Sequence, residues 1–98
     1  MAVTIEITHS EGVLTANKKT LTGGARVEQN GVVLHCRIDL NTDKGLVRTT
    51  IVVRAERLSN TIKYLVTTIR SGRMTTKGEP NLATAFATVA GIIDSIMP

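Results

Sequence analysis

Tryptophan is absent, and Tyr64 and Phe86 are the only aromatic residues in a chain of 98. Large hydrophobic anchors, which dominate most cores and interfaces, are therefore nearly missing. The same shortage excludes modules that stack nucleobases on exposed aromatics, such as RNA-recognition motifs and oligonucleotide-binding barrels. Cys36 is the single cysteine, so no internal disulfide forms, and a reducing compartment or indifference to redox is expected. Its place between Leu34 and Ile38, on the apolar side of an expected strand, reads as a buried structural thiol rather than a nucleophile. The opening MAVTIEITHSEG has neither a basic n-region nor an apolar h-region, and the longest apolar stretch is broken by Thr, Gly, Asp and Ser. No signal peptide and no membrane span are expected, and the protein should be soluble and made in a cytoplasm.

Catalytic groupings are missing as well. His9 and His35 are the only histidines, and they fall without metal-ligand spacing. His9-Ser10-Glu11 has triad residue types in adjacent positions, where side chains point apart. Gly23-Gly24 lacks the Gly-Lys-Ser/Thr ending of a P-loop, and the carboxylates are scattered singly. No enzymatic activity, cofactor, metal or small-molecule substrate is expected.

What the chain does have is small aliphatic residues. Apolar residues make up 42%, mostly Val, Ile, Leu and Ala. A chain this short buries only about 60–65% of the surface its unfolded form exposes, so such a composition is easier to bury in an oligomer than in a monomer. Twelve Lys and Arg face eight Asp and Glu, a net charge of +4, and the sequence pI is near 9.7. This balance permits a polyanionic partner without demanding one, since basic side chains displace condensed counterions from phosphates.

Residues 1–98 read as one domain, with strands over about 2–57 and helices over about 59–71 and 81–96. Val3, Ile5 and Ile7 alternate with Thr4, Glu6 and Thr8, and Glu11-Gly12 can turn the chain into a weaker strand near Val13 to Ala16. Residues 17–24 read as a loop. Ala25 to Gln29 and Val32 to Leu40 flank Asn30-Gly31, whose tolerance of positive φ suits a hairpin turn, and a further turn over 41–45 precedes Val47 to Arg57. From Leu58 to Ser71, five of the six apolar residues share a helical face and only four a strand face, with Ser59 placed as N-cap. Residues 71–81 read as a loop. Leu82, Ala85, Phe86, Val89, Ile93 and Ile96 follow helical spacing, with Pro80 in the first turn. The plan is α+β, an antiparallel β-meander with an N-terminal hairpin followed by two C-terminal helices.

Both kinds of element have informative faces. Behind the stripe of the last helix sit Thr84, Thr88, Gly91 and Ser95, with Asp94 the only charge, where a solvated helix normally carries Lys, Glu and Arg. Small uncharged residues let another backbone come close, so this helix is expected to pack on both sides. In the strands, Leu34, Cys36, Ile38, Leu40, Thr49, Ile51, Val53 and Ala55 share the apolar side. The open side bears Arg26, His35, Arg37, Arg48, Thr50 and Arg54, mixed with Glu28, Asp39 and Glu56. Arginine suits phosphates because its planar fork donates two parallel hydrogen bonds.

The segments TIEITHSEGVLT, RTTIVVRAERLSNTIKYLVTTIRSG and LATAFATVAGIIDSIMP resemble, in that order, the first hairpin, the last long strand running into a helix, and the apolar final helix of coat proteins of single-stranded RNA bacteriophages. The chain is short for that family, and Tyr64 falls in the expected helix rather than on a strand. The resemblance implies an intertwined homodimer with one continuous sheet, helices crossing onto the partner's sheet, and assembly into an icosahedral shell that holds genomic RNA on the open face. It implies RNA contact by Arg37, Arg48, Thr50 and Arg54, with Arg26 and His35 beside them. It also implies a dimer interface built on Ile62, Leu65, Ile69, Leu82, Phe86, Val89 and Ile93, and localisation in a virion made in a bacterial host cytoplasm. Two other classes fit the residues: a dimeric nucleic-acid-binding regulator that places a helix bearing Lys63, Thr67 and Arg70 in a groove, and an assembly subunit that binds no nucleic acid.

Overall fold

A computed structural model describes residues 2–10, 14–16, 19–21 and 31–96. In chain order the elements are β1 (Ala2–Ser10), β2 (Leu14–Ala16), β3 (Lys19–Leu21), β4 (Val32–Thr42), β5 (Gly45–Leu58), β6 (Thr61–Arg70), β7 (Arg73–Glu79) and α1 (Leu82–Ile96). Five strands form an antiparallel sheet in the order β1-β4-β5-β6-β7, and β2 pairs with β3 in a small separate hairpin. The expected sequence of antiparallel strands closed by a C-terminal helix is what the chain adopts.

Alternation sets the core. Leu34, Cys36, Ile38 and Leu40 of β4 and Ile51 and Val53 of β5 are buried, while His35, Arg37 and Asp39 are half-buried on the opposite side. Ile7 of β1 and Val66 of β6 extend the same apolar surface. α1 lies over it and buries Ala85, Phe86, Val89 and Ile93. Asn81 caps the helix: its Oδ1 accepts from Thr84 N at 2.9 Å and its carbonyl from Ala85 N at 3.1 Å. Pro80 therefore stands ahead of the cap rather than in the first turn. Burial pushes the Cys36 thiol up to about 11, so it stays protonated at neutral pH. A disulfide reagent such as dithiobis(nitrobenzoate) is expected to label Cys36 only after unfolding, and rapid labelling of native protein would contradict its place in the core.

The segment 59–71 is not a helix. Thr61–Arg70 is strand β6, paired with β5 from Thr49↔Arg70 to Leu58↔Thr61. Its apolar residues serve both sides of the sheet, Leu65 and Ile69 on the open side and Tyr64 and Val66 on the helix side, and a two-sided strand counterfeits helical spacing. Threonines and β-branched residues, stiff at χ1, fit the pleated surface better. Ser59, expected as an N-cap, sits in the connecting turn at φ 54°. The expected loop 71–81 is likewise a two-residue turn, with Ser71 at φ 52° and Gly72 at φ 77°, followed by strand β7.

The N-terminal hairpin is also rearranged. Rather than pairing with the strand near Val13 to Ala16, β1 runs along β4, where Val3, Ile5 and Ile7 meet Leu40, Ile38 and Cys36. That long apolar match outweighs anything a three-residue strand offers, and β2 instead closes on β3 within the expected loop. Gly31 has φ 74°, as the expected turn requires, while Asn30 and the strand Ala25 to Gln29 lie outside the described residues. Finally, α1 covers its own sheet, so the crossing of helices onto a partner's sheet is not the arrangement found here. No described helix is long and apolar enough to cross a membrane.

Candidate nucleic-acid interface on the open sheet face

The face opposite α1 divides into two unlike halves. On the β1–β4 side the charges are matched internally. Arg48 donates through Nε to Asp39 Oδ1 at 2.8 Å and through a terminal nitrogen to Oδ2 at 3.2 Å. Arg37 donates to Glu6 Oε2 at 3.3 Å and lies 3.7 Å from Asp39 Oδ2. The register causes this, because Glu6 stands opposite Arg37 and Asp39 opposite Arg48. The hydrogen bond from Arg48, chiefly, holds the Asp39 carboxyl below the usual carboxylate range. Since its folded-state value is lowered, the stabilisation from this pair is present at neutral pH and is lost as the pH falls through that lowered value.

The β5–β7 side is apolar and hydroxylated. Val52, Leu65, Ile69 and Met74 lie on it, with Ile69 42% and Met74 68% exposed. Thr67 and Thr76 face each other with hydroxyl oxygens 3.2 Å apart. A shallow depression of about 300 Å³ is lined by Val52, Arg54, Leu65, Thr67 and Met74. Arg54 lines it and Lys63 stands on the same face two residues from Leu65; among the described residues neither has an ion-pair partner, although Glu56 stands directly opposite Lys63. Flat aliphatic contact, hydroxyls and two uncommitted cations suit an unstacked base with its phosphates, without an aromatic platform.

Of the residues picked out from the sequence, Arg37, Arg48, Thr50, Arg54 and His35 do share this face. Arg37 and Arg48 are committed to acids, Thr50 is half-buried between Arg37 and Ile69, and Arg54 remains uncommitted. His35 is half-buried opposite Val52, with its Nδ1 buried and without a hydrogen-bond partner among the described residues. Arg26 lies outside the described residues. Phe86, Val89 and Ile93 are buried in the chain's own core, and Leu82 packs against it. Ile62, Leu65 and Ile69 belong to β6 instead of a helix, with Ile62 43% exposed.

Sequence reasoning placed Lys63 on a groove-binding helix and missed the apolar half, because the helix assigned to 59–71 removed both from the sheet. The β-branched density of TIKYLVTTIR and the Ser71-Gly72 turn were the signals that pointed to a hairpin. The same correction removes the groove-binding helix, since Lys63 and Thr67 lie on the open face of β6 and Arg70 on the other. Among the described residues no group of His, Cys, Asp or Glu is arranged to hold a metal ion. The chain matches no known family model, no curated protein and no solved structure.

Proposed function

We propose that the chain is a coat-type subunit that pairs with a second copy through β7, assembles further into a shell, and holds single-stranded RNA on the open sheet face. The observation that carries this reading is the β7 edge, one of the two outer strands of the sheet, β1 being the other. β7 pairs with β6 on one side and, among the described elements, has no neighbour on the other; it is exposed along its length except at Glu79. The two-residue turn makes Arg70 and Arg73 the closing pair of the hairpin. By ladder alternation, the N–H groups of Met74, Thr76 and Gly78 then point away from β6.

An antiparallel pairing centred on Thr76 brings Arg73 opposite Glu79, Thr75 opposite Lys77 and Met74 opposite Gly78 of the second copy. Opposite charges meet and like charges do not, which is the pattern that stabilises cross-strand neighbours. The same pairing sets the two apolar halves side by side, bordered by Arg54 and Lys63 from each copy. Long edges of this kind are usually blunted in monomers; on the helix side of β7 stand Arg73, Lys77 and Glu79, of which Glu79 alone is buried and is held 3.4 Å from Lys77.

Gel filtration with the 260/280 nm absorbance ratio tests the reading. A large particle carrying nucleic acid is expected, and a monomer with a clean protein spectrum would refute it. Assembly without nucleic acid is the reading that the neutralised Arg37 and Arg48 favour, and a large particle with a protein spectrum would establish it. On the RNA reading, Asp39→Asn releases Arg48, while Arg37 keeps its pairing with Glu6. The substitution is expected to steepen the salt dependence of RNA binding by about 0.7 log units, the value for one arginine that reaches a phosphate. An unchanged slope in filter binding would show that this half of the face stays away from RNA.

A further inference from the structure

Gly78 has no backbone reason to be glycine, since its φ lies outside the left-handed region. Space supplies the reason. A Cβ built at this position would collide with Cε of Lys63 and stand 2.9 Å from its Nζ. The Lys63 side chain therefore lies flat across β7, turned away from Glu56, which the register puts directly opposite it. Arg54, Leu65 and Gly78 stand in one row across β5, β6 and β7. The two uncommitted cations thus flank Leu65 from either side, roughly 10 Å apart at two strand spacings.

We infer that Gly78 is a positioning residue, whose missing side chain lets Lys63 lie across β7 so that its ammonium and the Arg54 guanidinium bracket the depression over Leu65 as a phosphate-binding pair. This rests on the reading that the open face holds RNA, and it names the backbone phosphates of a single strand as what the pair holds. Glycine in a strand gives up side-chain packing, and here that loss opens the path of a lysine. The collision involves only the flexible end of Lys63, so an alanine at this position displaces the lysine without breaking the sheet.

The test uses the full chain and a short oligouridylate. Gly78→Ala is expected to keep the wild-type melting temperature but lower the slope of log affinity against log salt by about 0.7, the value of one single-strand phosphate contact. Lys63→Met should lower it equally, and adding Gly78→Ala to Lys63→Met should lower it no further. A wild-type slope in Gly78→Ala, or a further loss in the double variant, would overturn the inference while leaving RNA binding intact. An unfolded Gly78→Ala would overturn it too, by making the glycine a packing requirement. If the wild-type chain does not bind oligouridylate at all, the RNA reading itself falls.

Discussion

Phe86→Ala is expected to lower the unfolding free energy by about 3–5 kcal/mol. Phe86 is only 8% exposed and shares its core with Leu34, Cys36, Ile51, Val53 and Val66, all at 2% or less. Those neighbours stand on paired strands that cannot slump into the space the ring leaves, so the cavity cost adds to the transfer cost. For a domain of this size, 1 kcal/mol moves the melting temperature by roughly 4–8 °C, and the loss consumes much of a typical stability of about 5–15 kcal/mol. Urea unfolding should show a lower midpoint with an unchanged slope. Because α1 covers its own sheet, the deficit should be the same at every protein concentration. A deficit that disappears as concentration rises would place the ring against a second copy instead, and a loss below about 1 kcal/mol would remove it from the core.

The parts of the fold that the sequence made legible are those where one face is buried and the other wet. β4 and β5 alternate over most of their length, Val32–Val33 and Val52 excepted, because Leu34, Cys36, Ile38, Ile51 and Val53 look to the helix while Arg37, Arg48 and Arg54 look outward. α1 is readable for the same reason, with Ala85, Phe86, Val89 and Ile93 at helical spacing. β6 failed this test because both of its faces carry apolar residues, so period two vanished and period 3.6 gained a false match. β7, as RMTTKGE, has almost no apolar pattern to read. It is an edge whose residues are exposed except for Glu79, and only the register of β6 gives it a place.

The candidate site was legible as a face but not as a set of contacts. That Arg37, Arg48 and Arg54 lie together follows from alternation alone. Which arginines are free depends on which acids stand opposite: Asp39 meets Arg48 within the expected β4–β5 hairpin, but Glu6 meets Arg37 only through the pairing of β1 with β4, and a local reading gave β1 a different partner. Lys63 was read as a contact on the misassigned helix and not as part of the sheet face. Gly78 carries no side chain to read, and its role emerges only from the lysine that crosses it on the neighbouring strand.

Thr76→Pro should abolish self-association while leaving a folded monomer. At Thr76 the backbone N–H points to the free edge, so proline removes no bond to β6 and costs the subunit only the Thr67–Thr76 hydroxyl contact and some strain in φ. At the centre of a two-fold pairing, however, the change removes a donor from each copy and sets two pyrrolidine rings against each other. Sedimentation should move from large particles to a single species of about the chain mass, with circular dichroism unchanged. Thr75→Pro, one residue away, should do the reverse. Its N–H points into the ladder, and its partner Thr68 lies within the sheet, so β7 should detach and stability should fall. Opposite outcomes at adjacent positions cannot come from a general intolerance of proline. If Thr76→Pro still assembles, β7 is not the contact between copies, and the small-residue side of α1, with Ala87 and Gly91 exposed, becomes the surface to examine.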